Sequence, residues 1–340
     1  RTCRAISETE GDIYSQKAEQ YEQLFQNIKT EWQGRYLNSS KVPTQATQCG
    51  YLMALRYKLL PDDASISRTR SYLHRAIMNN GYKLNTGFLG TAILNQTLTE
   101  NGYNDDAYTL LLQRNDPSWL YSIDQGATTI WERWNSYTVA KGYGPVSMNS
   151  FNHYAYGVVA EWMFQYMAGI TPDEAQPGFK HFFLQPNPDT RSVLRYSQKR
   201  ITNTDADFAS DYGQIRAKWE CDGTKEMTYQ VTIPANTSAT LRLPTGDGLY
   251  IYEGAKLAEE AEGVQYVGTS EGYATYNVGS GSYIFTVSTE DPTSIKSIDE
   301  AASLNDNPKE QIYYSLDGKK LPNDSVHGII VTEGKKKIVK

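Results

Sequence analysis

The residues with the clearest chemical potential lie in a short segment that places one carboxylate between two indole rings. The segment 125–135 reads QGATTIWERWN, so that Glu132 follows Trp131, precedes Arg133 and lies two residues before Trp134. Packing against tryptophan removes water from a carboxylate and raises its pKa, whereas a neighbouring cation lowers it. A carboxylate balanced in this way could act as the general base that takes a proton from water.

The same residues also allow a structural interpretation, in which Glu132 and Arg133 form a surface ion pair between two tryptophans of the core. The composition is compatible with a sugar ligand, because 26 Tyr and 6 Trp residues provide flat apolar faces with polar edges. Core packing explains many of these rings equally well. Chemistry alone therefore leaves both interpretations open.

Helices must position this segment, since apolar residues between 12 and about 170 recur at three- and four-residue steps. The predicted helices are 12–37, 46–60, 64–80, 88–99, 103–113 and 149–168. Their short connections predict antiparallel helical hairpins. The exception is 115–148, a long segment rich in Trp, Gly, Ser and Thr, and long loops inside compact folds usually carry function.

After about residue 176 the apolar period changes to two, which is typical of an antiparallel β-sandwich. The predicted strands are 193–198, 214–219, 227–233, 239–243 and 283–287. Residues 291–311 are polar and are interpreted as a linker before a short β module. The chain is therefore predicted to be multi-domain, with helices in 1–175, a β-sandwich in 176–290, and a linker with a short C-terminal β tail in 291–340.

Composition excludes several functional classes. A net charge of -6 argues against a nucleic-acid partner, because binding phosphates needs a basic face. No apolar run reaches the length of about 18 residues that a membrane span needs. Three cysteines and four histidines follow no metal or redox spacing, so we expect no metal site and no cofactor. Because the chain begins at Arg1 without a leader, we expect a processed or partial product.

Several motifs, in one order, resemble a single enzyme family. GATTIWERW at 126–134 resembles the G-A-T-T-x-W-E-x-W segment of the α-L-rhamnosidases of glycoside hydrolase family 78. TGFLGT at 86–91, PSW at 117–119 and SFNHYAYG at 150–157 resemble further segments of that family, with Tyr156 in place of a phenylalanine. YGQIR at 212–216 and VTIPANT at 231–237 resemble its C-terminal β-domain.

The resemblance implies the C-terminal half of an (α/α)6 six-hairpin barrel followed by a β-sandwich, and hydrolysis of terminal α-L-rhamnose with inversion. It implies that Glu132 is the general base and that His153 binds the substrate from the first turn of the predicted 149–168 helix. Neither a metal nor an organic cofactor is implied. The rings expected to stack on the sugar or to wall its pocket are Trp131, Trp134 and Trp119.

Inverting hydrolysis needs a second carboxyl group at a separation on the order of 6.5–9.5 Å. In the family this general acid lies in a D-E-R-x-x-W type of segment, which the chain does not contain. The predicted helices are also too few for a closed barrel. We therefore expect an N-terminal remainder of the enzyme as a partner, within the same polypeptide or as a separate one, and little activity from this chain alone.

The expected substrate is a rhamnose-containing oligosaccharide or glycoside. Two alternatives stay open: a six-hairpin glycosidase of other sugar specificity, and a non-catalytic sugar-binding fragment. The C-terminal segment beginning IYYSLDGKK at 312–320 resembles the short terminal module of secreted Bacteroidetes proteins. This resemblance implies a bacterial protein that is secreted, periplasmic or on the cell surface.

Overall fold

A computed structural model describes residues 2–3, 6 and 12–290, together with the backbone of four short strands between 313 and 339. The chain divides into two compact units, Arg1–Pro292 and Thr293–Lys340. The larger unit contains a helical part followed by two β-sheets. The predicted linker at 291–311 lies outside the described residues.

Seven α-helices are described in the larger unit between residues 12 and 162. They are α1 Asp12–Tyr36, α2 Gln48–Arg56, α3 Asp63–Asn79, α4 Phe88–Glu100, α5 Asn104–Leu111, α6 Trp119–Asp124 and α7 Val159–Trp162. A 3-10 turn at Ala155–Val158 precedes α7, and a π-helical turn at Met163–Met167 follows it. Three N-cap side chains satisfy free backbone N–H groups at helix starts, namely Thr47, Asp62 and Ser118.

Fully buried leucine and isoleucine side chains of α2, α3 and α4 form the helical core, among them Leu52, Leu73 and Leu94. In contrast, no residue of α1 is buried in the described part of the chain, and its apolar Tyr21 is 62% exposed. Helices gain most of their stability from packing an apolar face. An uncovered apolar face on α1 is what the resemblance to half of a barrel implies.

Two predictions about the helical part are wrong. The predicted helix 149–168 begins its helical turns only at Ala155, because the backbone of the preceding residues bonds instead to the segment that contains Glu132. The predicted loop 115–148 contains α6, whose start is fixed by the side chain of Ser118, and a small hairpin. The hairpin consists of β1 Tyr137–Thr138 and β2 Gly142–Tyr143.

The two sheets of the larger unit form an antiparallel β-sandwich with one parallel pair, β4 with β8. Side chains of both sheets belong to one hydrophobic core. The five-stranded sheet has the order β11-β12-β8-β4-β3, and the six-stranded sheet has the order β10-β9-β13-β7-β6-β5. Their strands are β3 Ile170–Pro172, β4 His181–Leu184, β5 Asn203–Ser210, β6 Gly213–Cys221, β7 Met227–Ile233, β8 Ser238–Pro244, β9 Tyr250–Glu253, β10 Lys256–Leu257, β11 Val264–Ser270, β12 Tyr273–Val278 and β13 Gly281–Ser288.

The smaller unit contains a four-stranded sheet with the order β15-β14-β16-β17. Its strands are β14 Tyr313–Tyr314, β15 Lys320–Leu321, β16 Gly328–Thr332 and β17 Lys335–Val339. No helix among the described residues has the length and apolar character that crossing a bilayer requires.

The predicted strand at 193–198 is wrong, because this segment has no regular secondary structure; its Gln198 bonds to a buried ion pair. Asp189 and Arg191 form a bidentate pair with two 2.8 Å hydrogen bonds, and their side chains are 0% and 1% exposed. Gln198 and the backbone N–H of Ile201 provide further bonds, the latter donating to Asp189 at 3.0 Å. The pair also reaches α5 through Thr109, so it joins the helical part to the sandwich.

Replacing Asp189 with Ala should destabilise the protein by about 3–5 kcal/mol, because it leaves the Arg191 guanidinium buried without its counter-charge. Urea unfolding followed by circular dichroism measures the change. The matched control is Asp205→Ala, which breaks an exposed bidentate pair with Arg216 and should hardly move the unfolding midpoint. Equal effects of the two substitutions would contradict the conclusion that burial makes the Asp189–Arg191 pair important for stability.

Candidate active site

Two segments that are distant in the sequence lie side by side and form the candidate site. We call residues 126–136 the Glu132 loop and residues 149–153 the His153 segment. The backbone N–H of Glu132 donates to the Ser150 carbonyl at 2.9 Å, and that of His153 donates to the Ile130 carbonyl at 2.8 Å. The Thr129 hydroxyl donates to the Phe151 carbonyl. These bonds hold the two segments in a fixed register.

The Glu132 carboxylate is half-buried and is held by one of its two oxygens. The backbone N–H of Ser150 donates to Oε2 at 2.7 Å. Among the described residues, Oε1 has no hydrogen-bond partner, and Arg133 forms no ion pair with the carboxylate. The interpretation as a surface ion pair with Arg133 is therefore wrong. One oxygen is anchored, and the other is available to accept a proton.

The His153 ring is stacked between two aromatic rings and held at one nitrogen. Its centroid lies 4.7 Å from that of Phe88, at an interplanar angle of 13°, and 5.7 Å from that of Tyr154, at 9°. The backbone N–H of Ala155 donates to Nδ1 at 3.3 Å. In the neutral ring this bond assigns the proton to Nε2, which then acts as a donor. His153 lies two residues before the 3-10 turn, so the prediction of a first helical turn is wrong.

The three predicted tryptophans pack around these segments, and two donate their indole N–H to a backbone carbonyl. Trp119 donates to Tyr156 and Trp134 donates to Thr86, both at 2.9 Å. The Trp134 ring stacks on Tyr156 at 3.7 Å and meets Trp119 edge-on at 5.5 Å. Trp131 is 7% exposed and meets Phe151 edge-on. These contacts show that the three tryptophans pack against neighbouring protein groups next to the site. Stacking of the tryptophans on a sugar stays a prediction.

Family models match both parts of the larger unit. The bacterial alpha-L-rhamnosidase 6 hairpin glycosidase domain matches residues 4–167, and the bacterial alpha-L-rhamnosidase C-terminal domain matches residues 169–258. The chain belongs to the bacterial α-L-rhamnosidase family. The helical part and the sandwich described above therefore correspond to the six-hairpin domain and the C-terminal domain of this family.

Relatives of known name support the same family. An alpha-L-rhamnosidase of Formosa agariphila is 38% identical over 237 residues, which are 69% of this chain and 24% of that protein. The crystal structure of Streptomyces avermitilis alpha-L-rhamnosidase complexed with L-rhamnose has a TM-score of 0.70 and 34% identity, covering 84% of this chain and 25% of that one. The Aspergillus terreus alpha-L-rhamnosidase structure has a TM-score of 0.66, 28% identity, and coverage of 80% and 27%. The chain spans about a quarter of the length of these relatives.

Other carboxylates near the family motifs have different surroundings. Asp124 at the end of α6 is paired with Arg114, and Glu161 on α7 is exposed and accepts a bond from Gln165. Burial raises the pKa of Asp116, while the nearby Lys83 lowers it. None of these carboxylates reproduces the arrangement at Glu132, where one oxygen is anchored by a backbone N–H and the other has no partner among the described residues.

An open groove of about 650 Å³ lies at one end of the six-stranded sheet and contains no residue of the two site segments. Three carboxylates line it, but each has a local partner. Glu220 pairs with Lys218, Asp222 accepts from the Thr224 backbone, and Glu226 accepts from Thr289. Among the residues that the structure describes, no group of His, Cys, Asp and Glu is placed to hold a metal ion.

Sequence reasoning missed three contributors to the site. Ser150 acts through its backbone N–H, which any residue except proline supplies, so its side chain gives no signal. Phe88 stacks on the His153 ring. Because Phe88 belongs to the TGFLGT motif, the sequence contained a signal that could have identified it. Ser136 is 0% exposed, and its carbonyl accepts bonds from Gly144 and Asn149, which ties the hairpin to the Glu132 loop.

The two glycines of the TGFLGT motif differ in the space around them, which generates a testable prediction. A Cβ on Gly90 would lie 2.9 Å from the Thr86 side chain and 3.1 Å from Cys49 Sγ, whereas a Cβ on Gly87 would meet nothing within 4 Å. Gly90→Ala should therefore displace α4, which carries Phe88, and cost about 1–3 kcal/mol of stability. Gly87→Ala is the matched control and should stay close to wild type. Thermal unfolding of both variants measures the difference.

Proposed function

We propose that the protein containing this chain removes terminal α-L-rhamnose from glycosides with inversion of configuration, with Glu132 as the general base. The observation that carries the proposal is the Glu132 carboxylate, with Oε2 anchored by the Ser150 N–H and Oε1 without a partner among the described residues. The named relatives, each an alpha-L-rhamnosidase, support rhamnose as the sugar. The complete protein's activity is part of the proposal, because the chain spans about a quarter of these relatives.

In the proposed reaction a water molecule donates a hydrogen bond to Oε1 of Glu132. As its oxygen attacks the anomeric carbon, the proton passes to the carboxylate and the glycosidic bond breaks. A general acid, which we do not assign to this chain, protonates the departing oxygen. Inversion follows because water attacks from the face opposite to the leaving group.

His153 is proposed to bind a sugar hydroxyl through its Nε2–H. The Ala155 N–H occupies Nδ1, and stacking on Phe88 holds the plane of the ring. Ligand recognition by a positioned donor is specific, because a missing partner leaves a buried polar group unpaired. We expect the Trp131 ring, which is buried, and the Trp134 ring, which is half-buried, to limit access of bulk water to the Glu132 loop.

Glu132→Gln in the complete protein should lower kcat on an aryl α-L-rhamnoside by about 100- to 10,000-fold, because an amide cannot accept the proton of water. The matched control is Glu161→Gln, which makes the same change at an exposed helical position and should keep near wild-type turnover. Unaltered circular dichroism of both variants establishes folding. Retention of wild-type kcat by Glu132→Gln would refute the assignment.

Proton NMR of the reaction in D₂O should show β-L-rhamnose as the first product, before mutarotation supplies the α anomer. Inversion of an α-linked substrate requires this order. If α-L-rhamnose appears first, the enzyme retains configuration and Glu132 has another role. Parallel assays with other aryl glycosides report whether rhamnose is the preferred sugar.

His153→Phe keeps an aromatic ring next to Phe88 but removes both ring nitrogens. We expect kcat/KM on an aryl rhamnoside to fall by about 10- to 100-fold, because one hydrogen bond to the sugar is lost and a hydroxyl is left unpaired. Steady-state kinetics of the complete protein measures this loss. Tyr154→Phe, which retains its ring next to His153, serves as the neighbouring comparison and should lose far less.

A further inference from the structure

A row of three aromatic rings leads away from the Glu132 loop. Trp131 meets Phe151 edge-on at 5.3 Å and 76°, and Phe151 meets Tyr143 edge-on at 5.7 Å and 81°. Exposure rises along the row, from 7% at Trp131 to 75% at Tyr143. The row therefore begins with a buried ring of the Glu132 loop and ends at the surface, on the β1–β2 hairpin.

Tyr143 is held in place by the hairpin and by the ring contacts, yet its outer face is uncovered. The hairpin pairs Tyr137 with Tyr143 and Thr138 with Gly142. At its base, the N–H of Gly144 donates to the buried Ser136 carbonyl at 2.8 Å. Among residues 12–290, the Tyr143 hydroxyl has no hydrogen-bond partner, and the ring is held by its contacts with Tyr137 at 5.1 Å and Phe151.

The same hairpin is also connected to α6. The N–H of Val139 donates to the Tyr121 hydroxyl at 3.4 Å, and Lys141 bonds back to Thr138 within the hairpin. Because Ser136 also accepts a bond from Asn149 of the His153 segment, the hairpin is fixed to both segments of the site. A ring on such a hairpin keeps a defined position relative to Glu132.

We propose that Tyr143 is a specificity-determining residue that binds the leaving group, the part of the substrate beyond the bond that is cleaved. The class of leaving group it fits has a flat apolar ring face, such as an aryl ring or a pyranose. Exposed tyrosine rings bind such faces through apolar and C–H contacts, and their hydroxyl adds a polar edge. This inference rests on the proposed function, because it concerns the substrate of the same site.

The test compares two rhamnosides in the complete protein, methyl α-L-rhamnoside, which has no ring in the leaving group, and 4-nitrophenyl α-L-rhamnoside. Tyr143→Ala should lower the ratio of kcat/KM for the aryl substrate to that for the methyl substrate by about fivefold, mostly through KM. Each substrate is compared with itself in wild type, so its intrinsic reactivity cancels.

Two further variants make the outcome specific. Tyr143→Phe keeps the flat face and should keep the wild-type ratio, whereas Tyr143→Leu keeps apolar bulk without a flat face and should behave like Ala. Tyr212→Ala is the matched control, because it removes an exposed tyrosine on the turn between β5 and β6. It should leave kcat/KM for both substrates unchanged.

The possible failures are distinguishable. If wild type hydrolyses neither rhamnoside, the proposed function fails and this inference fails with it. If wild type hydrolyses both but Tyr143→Ala lowers them equally, or changes neither, the role of Tyr143 is overturned and the proposed function stands. An equal loss with a lowered melting temperature would indicate that another part of the polypeptide packs on Tyr143.

Discussion

The reciprocal pairing of Glu132 with Ser150 is the constraint on which the candidate site depends. The N–H of residue 132 bonds to the carbonyl of residue 150, and the N–H of residue 150 bonds to the carboxylate of residue 132. A carboxylate on a loop has many rotamers, and fixing one costs side-chain entropy. Here the backbone that positions the chain also positions the side chain, so one oxygen is anchored and the other has no partner among the described residues.

This pairing also explains why the last helix starts late. Backbone groups at 150 and 153 bond to the Glu132 loop and therefore cannot join helical turns, so the helix starts at Ala155. His153 is consequently presented from non-helical chain, and the N–H of Ala155 donates to its Nδ1. The loss of a few helical hydrogen bonds is thus coupled to the placement of both candidate functional side chains.

The motifs that resemble the family single out Glu132, His153 and three tryptophans as candidates, because those residue types appear in the sequence, and their roles stay predictions. The register between the two segments could not be predicted, since it joins residues 18 apart through backbone groups common to every residue type. Likewise, β5 was missed because five of the eight residues in NTDADFAS are polar and only Phe208 is large and apolar, although its burial alternates. Segment 193–198 was predicted to be a strand, but its Val193 and Tyr196 are exposed and its Gln198 side chain accepts a bond from the buried Arg191.

Helix bounds were predicted more accurately where a local signal acts. The capping box of Asp62 with Ser65 marks the start of α3, and Gly81, in the left-handed region at φ +66°, follows its end. The extent to which each helix is buried was harder to predict from the sequence, because it depends on which neighbouring elements are present. The uncovered α1 has the same amphipathic pattern as the buried helices, and a periodic pattern does not say what covers it.

The sandwich supports the site through the end of the last helix. Trp219 donates to the Met167 carbonyl at 2.7 Å and Tyr229 donates to the Ala168 carbonyl at 2.9 Å, and both rings are fully buried. These carbonyls are the ones that a helix end leaves without partners. The same helix begins at residues 155–158. There the Tyr156 carbonyl accepts a hydrogen bond from the Trp119 indole, and the Tyr156 ring stacks on Trp134. A continuous series of contacts therefore runs from the sandwich core to the loop that holds Glu132, which gives the C-terminal domain a physical role in positioning that loop.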